Sequence, residues 1–401
     1  MSGSNSTTML GNYKRLYGAG SDLFQQNLKA FFYGEIATAP EKPGGEGFFH
    51  MTWIRGNESG GAITEEESLK TPQSPQPIQP IVATKIQHWR FQFTGKSQAL
   101  SMSDKYAFAT TLNANLKDSM VRNMSDENRQ AFGNGLGTMC LIAANSGPAT
   151  TFTVDNVQYL RVNQVLDCFV SFGGAQEFSN RTITAIDIAT NVVTVDAAVT
   201  VTAGSSISKA NMFIGAPTDG KELTGLAKII DTTTNGNIFQ GISRVTFPEY
   251  QSNVVNAGAV PLSQDLLQRL MDRLMIVGGD KPTMILSRNG VYRSFVNTSL
   301  AQTRYQDDVV KAGHVKLTWN GLDWMLDKDC QTGTVYMLNM KPDYLAKYVL
   351  KDTDLADLDG KTLDRVSGFD KYEGYYIGYR NLGSKKPNAH GKLINLTEPT
   401  F

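Results

Sequence analysis

The sequence predicts an α+β fold that carries a projecting two-stranded ribbon and a separate β-rich unit. Two alternating, aromatic-rich segments flank a long proline-rich stretch near the amino terminus. The longest helical pattern of the chain follows them, and a region rich in threonine and valine then interrupts a mixed α/β remainder. The 401 residues suffice for two or three domains with sizeable cores.

The ribbon is predicted from period-two patterning in residues 48–55 and 81–93, which are rich in aromatic and β-branched side chains. Alternation places large apolar residues on one face of each strand. These residues are Phe49, Met51 and Trp53 in the first strand and Trp89, Phe91 and Phe93 in the second.

The two strands are joined by residues 56–80, which contain Pro72, Pro75, Pro77 and Pro80. Such a segment cannot be a helix, and prolines cannot donate to a central strand ladder. It is too long for an ordinary hairpin turn, and an isolated two-stranded ribbon is marginal in water. We therefore expect the ribbon to rest on a neighbouring copy of the chain. The alternative is a flexible loop on a monomer, but disordered loops are poor in aromatic residues.

Helices are predicted on both sides of the ribbon. Residues 22–33 form a short one with Ser21 as its N-cap, and a long one begins at Asp104 and carries apolar residues at helical spacing to Met124. A second helix is expected to restart at Ser125 and to run to about residue 144. Glycines recur in it at positions 133, 135 and 137, which indicates close packing against another backbone, because glycine otherwise weakens a helix.

Residues 149–214 are predicted to be a small β-rich unit, a barrel or a sandwich, inserted into the surrounding fold. The mixed remainder contains an amphipathic helix over residues 262–277 and a buried strand over 283–286, which leads into a helix over 289–295. Residues 315–319 and 322–326 form a hairpin around Asn320-Gly321, and residues 333–339 and 372–383 form further strands.

Composition excludes several functional classes. Lysine and arginine together number 38, and aspartate and glutamate together also number 38. This balance disfavours tight wrapping of nucleic acid. Cys140, Cys168 and Cys330 are widely spaced and are expected to be reduced, buried thiols. No apolar run reaches membrane-spanning length and no signal peptide is recognisable, so we expect a soluble protein without membrane contact.

No catalytic, cofactor-binding or metal site is predicted. The chain lacks a phosphate-binding loop, a nucleophile elbow and a zinc-protease motif. The acidic stretch 352–359 fails as a calcium loop: with Gly360 at the sixth position, Leu355 and Val366 would occupy ligand positions. The four histidines, His50, His88, His314 and His390, show no ligand spacing.

The order of these parts resembles the major capsid protein of tailed double-stranded DNA bacteriophages, the Hong Kong 97-type fold. Four stretches carry the resemblance: TGLAKIID at 224–231, GISRVTFPE at 241–249, VKLTWNGL at 315–322 and NLGSKKPNAHG at 381–391. The resemblance implies an N-terminal arm (1–45), an E-loop (46–100) and the spine helix of a peripheral (P) domain (102–147). It further implies a β-rich insertion (148–216), more of the P domain (225–280 and 336–401) and an axial (A) domain (281–335).

The function implied by the resemblance is that of a non-enzymatic coat protein that self-assembles into an icosahedral shell around phage DNA. Its partners would be many copies of itself in pentamers and hexamers, a separate scaffolding protein, a portal, decoration proteins on decorated shells, and weakly contacted DNA. It would be assembled in the host cytoplasm and located in the virion, with no cofactor. The candidate subunit interface comprises Leu23, Phe24, Phe31, Phe32, Trp53, Arg55, Trp89, Arg90, Phe91 and Phe93.

Three alternatives remain open at this stage. The first is an encapsulin, which uses the same fold as a cellular compartment for cargo enzymes. The second is a β-rich surface or adhesion protein that binds a ligand through residues 148–216. The third is an enzyme, and it rests only on the acidic stretch 352–359.

Overall fold

The computed structural model describes residues 32–45, 47–96, 122–171, 174–212, 220–234, 237–302, 318–355 and 364–399. The helix predicted over residues 22–33 lies outside these ranges except for its last two residues, which belong to a short helix. The helix predicted from Asp104 lies outside them up to residue 121.

The α-helices named here are α1 Phe32–Glu35, α2 over residues 122–132, α3 Leu226–Ile229, α4 Gln264–Arg273 and α5 Asn289–Gln302, and Gly95 and Lys96 are also helical. A π-helical turn, Leu274–Gly278, extends α4, and 3₁₀ turns form at Pro248–Tyr250 and Pro387–Ala389. The strands are β1 Gly47–Phe49, β2 Thr52–Arg55, β3 Gln76–Ile78, β4 Ile81–Ala83, β5 Lys85–Thr94, β6 Cys140–Leu141, β7 Ser146–Thr153, β8 Val165–Phe169, β9 Gln176–Asp187, β10 Val192–Val201, β11 Ser206–Lys209, β12 Ile238–Phe239, β13 Ile242–Ser243, β14 Asn253–Val260, β15 Met284–Ser287, β16 Thr318–Trp319, β17 Leu322–Leu326, β18 Val335–Leu338, β19 Ala346–Leu355, β20 Asp364–Arg365, β21 Lys371–Gly383 and β22 Gly391–Leu396.

The ribbon consists of two short antiparallel pairs. Strand β1 pairs with β4, with Phe48 opposite Val82, and β2 pairs with β3, with Thr52 opposite Ile78. Residues 56–75 contain no strand, as their prolines predict, but Pro77 lies in β3. Proline is accommodated there because the pair has only two strands, so its missing N–H can face away from the ladder.

The second predicted ribbon strand, residues 81–93, is divided at Thr84, and most of it does not belong to the ribbon. Strand β5 pairs antiparallel with β21 along ten residues, from Lys85 opposite Arg380 to Thr94 opposite Lys371. The same β21 pairs on its other side with β19 and β20. The ribbon therefore ends at Ala83, whereas the resemblance implied an E-loop that extends to residue 100. A ten-residue ladder with a long partner strand satisfies more backbone groups than the short first ribbon strand could.

Helix α2 is unbroken through the restart predicted at Ser125, and it ends at residue 132 rather than near 144. The glycines explain the early end. Gly135 and Gly137 have φ of +83° and +84°, a left-handed conformation that ends a helix and that other residues rarely adopt. The expected close packing is present in this turn, because Gly220 lies so near the backbone of Gly135 that a Cβ on Gly220 would overlap the Gly135 carbonyl oxygen.

The β-rich unit is a six-stranded sheet with the order β6-β11-β8-β9-β10-β7. A bridge between Ile142 and Val154 joins the two edges, so the sheet closes into a small barrel around its own apolar core. The unit begins at Cys140, earlier than the expected residue 148, because the chain turns into β6 directly after the glycine turn. Met139, predicted to lie on a helix, is instead part of the barrel core.

The second six-stranded sheet has the order β14-β22-β18-β15-β17-β16 and unites segments that the sequence divided between two domains. Strand β15, from the predicted A segment (281–335), pairs with β18. Strand β18 in turn pairs with β22 (residues 391–396), and β22 pairs with β14 (residues 253–260). The predicted hairpin is confirmed for residues 318–326, with Asn320 at φ 50° and Gly321 at φ 76°, while residues 315–317 of its first strand lie outside the described residues. The predicted amphipathic helix is also confirmed: its N-cap Ser263 accepts from the Leu266 N–H, and its apolar face packs on this sheet.

Candidate subunit interface

One face of the ribbon carries large apolar side chains that the described chain leaves exposed. Phe49, Met51 and Trp53 alternate along β1 and β2 with exposed fractions of 36%, 66% and 61%. The residues between them face the opposite way, and Phe48 is 1% exposed. We call Phe49, Met51 and Trp53 the apolar stripe. The alternation seen in the sequence thus places all three on one face, as predicted.

The opposite face of the ribbon is packed on the chain's own body. The Phe48 ring lies 5.3 Å from that of Tyr348, between centroids, within a small cluster that includes Val82 and Ala346. Further out, Ile78 is part of the main core, and Ile54 packs against it. The ribbon is therefore anchored on one face and bare on the other.

Arg55 fastens the ribbon to the body at the outer end of β2. Its Nε donates to Oε1 of Glu249 at 2.9 Å, one of its terminal nitrogens lies 3.5 Å from the Thr246 carbonyl oxygen, and its guanidinium lies 5.5 Å from the Phe247 ring centroid. This ion pair lowers the pKa of Glu249, chiefly through the hydrogen bond from Arg55. Arg55 was predicted to face a neighbour, and in this structure it holds its own chain.

The arm residues Leu23, Phe24 and Phe31 lie outside the described residues. Phe32 is fully buried, so the expectation that it faces a neighbouring subunit is wrong. Its ring lies 5.4 Å from that of Phe132, and its backbone N–H donates to Oδ2 of Asp327 at 3.0 Å. Residue 32 is thus where the chain enters its own core.

The side chains of β5 are likewise engaged within the chain, contrary to the expectation for a free ribbon strand. Phe93 is 5% exposed and stacks on Tyr372 at 5.8 Å, and Phe91 lies 6.1 Å from Tyr376. Trp89 is half-buried, with the Lys209 ammonium 5.1 Å from its ring, and Arg90 forms an ion pair with Glu373. These contacts follow from the pairing of β5 with β21, which sets aromatic residues opposite one another across the ladder. These contacts leave Phe49 and Trp53 of the apolar stripe as the exposed aromatic residues of this region. Of the stripe, only Trp53 was among the predicted interface residues.

A buried polar network joins α2 to the start of α1 and to the loop after β17. The Asn128 side-chain N–H₂ donates to Asp327 and, at 2.7 Å, to Oδ2 of Asp329, while its oxygen accepts from the Tyr33 N–H at 3.1 Å. Burial raises the pKa of Asp327. Gln158 of the barrel donates to Oδ1 of Asp329 at 3.2 Å. The amide of Asn128 thus separates two close carboxylates and ties three segments together.

Two buried ion pairs fix the same helix to other parts of the chain. Arg129 bonds Asp126 at 3.1 Å and also pairs with Glu222, and Glu127 pairs with Arg380 of β21. Although burial raises the pKa of Asp126, Arg129 and Lys209 more than offset that effect and hold the pKa below its usual value. Sequence reasoning missed these groups, since charged and amide residues on a helix are ordinarily solvated.

Two histidines are buried in a neutral state. His390 is fully buried, its Nδ1 accepts from the Asn339 N–H at 3.2 Å, and burial lowers its pKa to about 4. His50, at the junction of β1 and β2, has a pKa lowered to about 4 by burial and by the nearby Lys385.

The described ranges hold neither a cluster of metal-ligating side chains nor a membrane-spanning helix. No group of three or more histidine, cysteine, aspartate or glutamate side chains there could hold a metal ion. No helix in that part of the chain is long and apolar enough to cross a membrane. The three cysteines are free and buried, as predicted. Half of the acidic stretch 352–359, residues 356–359, lies outside the described residues, and Asp352 bonds Arg380 at 3.2 Å.

Comparison with known proteins finds no matching family model and no matching curated protein. Solved structures do match along nearly the whole chain. A chain of the cyanophage A-1(L) capsid asymmetric unit is 13% identical, with a TM-score of 0.57, over 95% of this chain and 96% of its own. The chain has the fold of a phage capsid subunit.

A second capsid structure agrees. A chain from the capsid of a native GTA particle is 12% identical, with a TM-score of 0.50, and the match covers 98% of this chain and 99% of the other. The α+β fold expected from the resemblance is thereby shown. A chain of the holo-SrpI encapsulin complex from Synechococcus elongatus PCC 7942 has a TM-score of 0.45 at 8% identity, over 98% of each chain, and we base no argument on it.

Proposed function

We propose that this protein is the major capsid protein of a tailed bacteriophage, which assembles into an icosahedral shell around the double-stranded DNA genome. The observation that carries the proposal is the apolar stripe. In a chain with a capsid-subunit fold, Met51 and Trp53 remain 66% and 61% exposed on a ribbon whose other face is anchored. Contiguous exposed apolar surface of this kind marks a protein interface. A second copy of the chain is the partner that a shell supplies.

The proposal also assigns the parts of the subunit. The N-terminal arm ends where Phe32 enters the core, and the E-loop is the ribbon formed by β1 to β4. The P domain comprises α2 and the sheet of β5, β19, β20 and β21. The A domain is built on the sheet from β14 to β22. The barrel, residues 140–209, is an insertion that is fastened to α2 through Lys209 and Asp126 at 2.8 Å.

The mechanism of assembly is burial of each ribbon's apolar stripe on a neighbour, repeated around pentamers and hexamers. Obligate interfaces bury roughly 2,000–5,000 Å² and are more apolar than transient ones. The zero formal net charge lets copies approach without mutual repulsion and lets a shell enclose DNA with weak contact. A separate scaffolding protein, a portal and decoration proteins complete the proposed set of partners. Assembly in the host cytoplasm and location in the virion belong to the same proposal.

Electron microscopy of the chain, expressed alone and with the scaffolding protein of its phage, tests this proposal. We expect closed particles from the unmodified chain and only soluble, folded subunits from the variant Met51→Ser/Trp53→Ser. The matched control is Ile188→Ser, which removes a 78% exposed apolar side chain from the barrel and should leave particles intact. Failure of the unmodified chain to form particles under both conditions would refute the proposal. Nuclease-protected DNA in particles from infected cells would distinguish a virion from an enzyme compartment.

A further inference from the structure

The ribbon is interrupted in both of its strands at the level of His50. Strands β1 and β4 form one pair and β2 and β3 another, while residues 50–51 and 79–80 between them belong to no strand. The His50 N–H donates to the Pro80 carbonyl oxygen across this gap at 3.3 Å, and Pro80 has no N–H with which to donate in return. We call the β1–β4 pair the ribbon root. The gap is the point at which the two pairs can move relative to each other.

The imidazole of His50 is buried in this gap without a hydrogen bond. The residue is 8% exposed, and neither ring nitrogen has a hydrogen-bond partner among the described residues. Buried polar atoms in folded proteins almost always have such a partner, because they otherwise lose their bonds to water without replacement. The closed root therefore holds His50 at a cost in free energy that opening of the root would recover.

Two charged side chains from separate segments act on His50. Lys385, from the loop after β21, forms an ion pair with Glu41, from the segment before β1, and also bonds Asp343 at 3.2 Å. Burial and then Lys385 lower the pKa of His50 to about 4, and Glu41 offsets part of that effect. Burial raises the pKa of Tyr348 in the root cluster, so that this phenol stays neutral. A proton on His50 would thus place a second buried cation beside Lys385.

We propose that His50 is an acid-sensitive latch, which keeps the ribbon root closed at neutral pH and releases it on acidification. In the closed root the imidazole is neutral and dry, whereas in the opened root it reaches water and binds a proton. Binding of the proton therefore favours the open form. Phe49 of the apolar stripe lies in β1, so release of the root also displaces part of that stripe. The latch belongs to the single subunit and does not depend on the proposed function.

The expected size of the effect follows from the two protonation equilibria. The pKa of His50 is 6.5 when the side chain is in water and about 4 in the closed root. The root is therefore most stable above pH 6.5, and it loses stability as the pH falls towards 4. Between pH 7.5 and pH 5.0 the equilibrium constant for opening should rise about thirty-fold.

Hydrogen exchange of unassembled subunits, measured by mass spectrometry at pH 7.5 and 5.0, tests the latch. The unmodified chain is compared with His50→Gln at each pH, because the intrinsic exchange rates then cancel. In peptides that span residues 47–55 and 76–83, the ratio of the two exchange rates should change about thirty-fold between the two pH values. A ratio that is the same at both pH values would overturn the inference.

The matched control is His390→Gln, which removes another buried histidine whose pKa is about 4. If the root opens by itself, its exchange in this control should keep the full pH dependence of the unmodified chain. Root exchange that loses its pH dependence in His390→Gln would show that the root opens only when the whole subunit unfolds, and would also overturn the inference. Both tests use single subunits, so their outcome is separate from whether the chain forms particles.

Two further variants keep the test decisive. His50→Leu, an apolar replacement of similar size, takes the place of His50→Gln if circular dichroism shows that the latter is unfolded, and the same thirty-fold change in the ratio is expected. Lys385→Met removes the cation that opposes protonation of His50, so the pH dependence of root exchange should become smaller than in the unmodified chain. An unchanged pH dependence in Lys385→Met would contradict the role assigned to that ammonium group.

Discussion

Acidification should destabilise the folded subunit, and His390 should account for a defined share of the loss. The ring is fully buried, and the Asn339 N–H occupies its Nδ1 lone pair. Protonation of Nδ1 would therefore place a charge in the core and leave the Nδ1–H facing the Asn339 N–H, with no acceptor between them. The pKa of His390 falls from 6.5 in the unfolded chain to about 4 in the folded one. Between these values the unfolded state binds more protons, so stability is complete above pH 6.5 and is lost as the pH falls towards 4.

The size of the effect follows from the two pKa values. At pH 5.5 the unfolded chain gains about 1.4 kcal/mol from protonating this one residue, and the folded chain gains almost nothing. The assay is urea unfolding of unassembled subunits at pH 7.5 and 5.5 for the unmodified chain and for His390→Gln, whose amide can still accept from the Asn339 N–H. The difference in unfolding free energy between the two proteins should shrink by about 1.4 kcal/mol on acidification. A difference that does not change with pH would refute this reasoning. His50 titrates in both proteins and cancels.

Three further perturbations address the buried polar groups and the barrel. Asn128→Asp puts a third carboxylate beside the two that the amide now bridges, and should cost about 3 kcal/mol in urea unfolding at pH 7, recovering in part at pH 5. Arg380→Met leaves Glu127 buried without its partner, at a cost of about 3 kcal/mol, and Glu127→Gln in the same chain should restore most of it; a double variant no more stable than the single one would contradict this. Replacing residues 140–209 by a short glycine linker should leave a folded body by circular dichroism, because β6 and β11 pair where the chain enters and leaves the barrel. Aggregation of that deletion variant would contradict the independence of the barrel.

Features encoded by short-range patterns could be predicted from the sequence. The hairpin around Asn320-Gly321 follows from two residues that accept positive φ between alternating strands. The apolar face of α4 follows from spacing alone. The apolar stripe was likewise visible as alternation from Phe49 to Trp53. In each case the residues that decide the structure lie within a few positions of one another.

The pairing of β5 could not be predicted in this way. Its partner β21 lies almost three hundred residues further along the chain, and residues 81–93 have the same period-two pattern whether they pair with the ribbon or with the body. The polar residues of α2 posed a similar difficulty. Asn128 and Arg129 occur in a sequence that suits a solvated helix face, and only the arrival of Asp327 and Glu222 from distant segments makes their burial favourable.

The division of the ribbon changes the energetics expected of assembly. A free arm would lose conformational entropy for every residue ordered on docking. Here Phe48 and Ile78 are already buried in their own subunit, and Arg55 is already bound to Glu249. The root of the ribbon is therefore ordered before a neighbour arrives, and burial of the apolar stripe contributes to association with a smaller entropic cost. It follows that breaking the Arg55–Glu249 pair, which is exposed and weak as a contribution to folding, should weaken assembly more than it weakens the subunit.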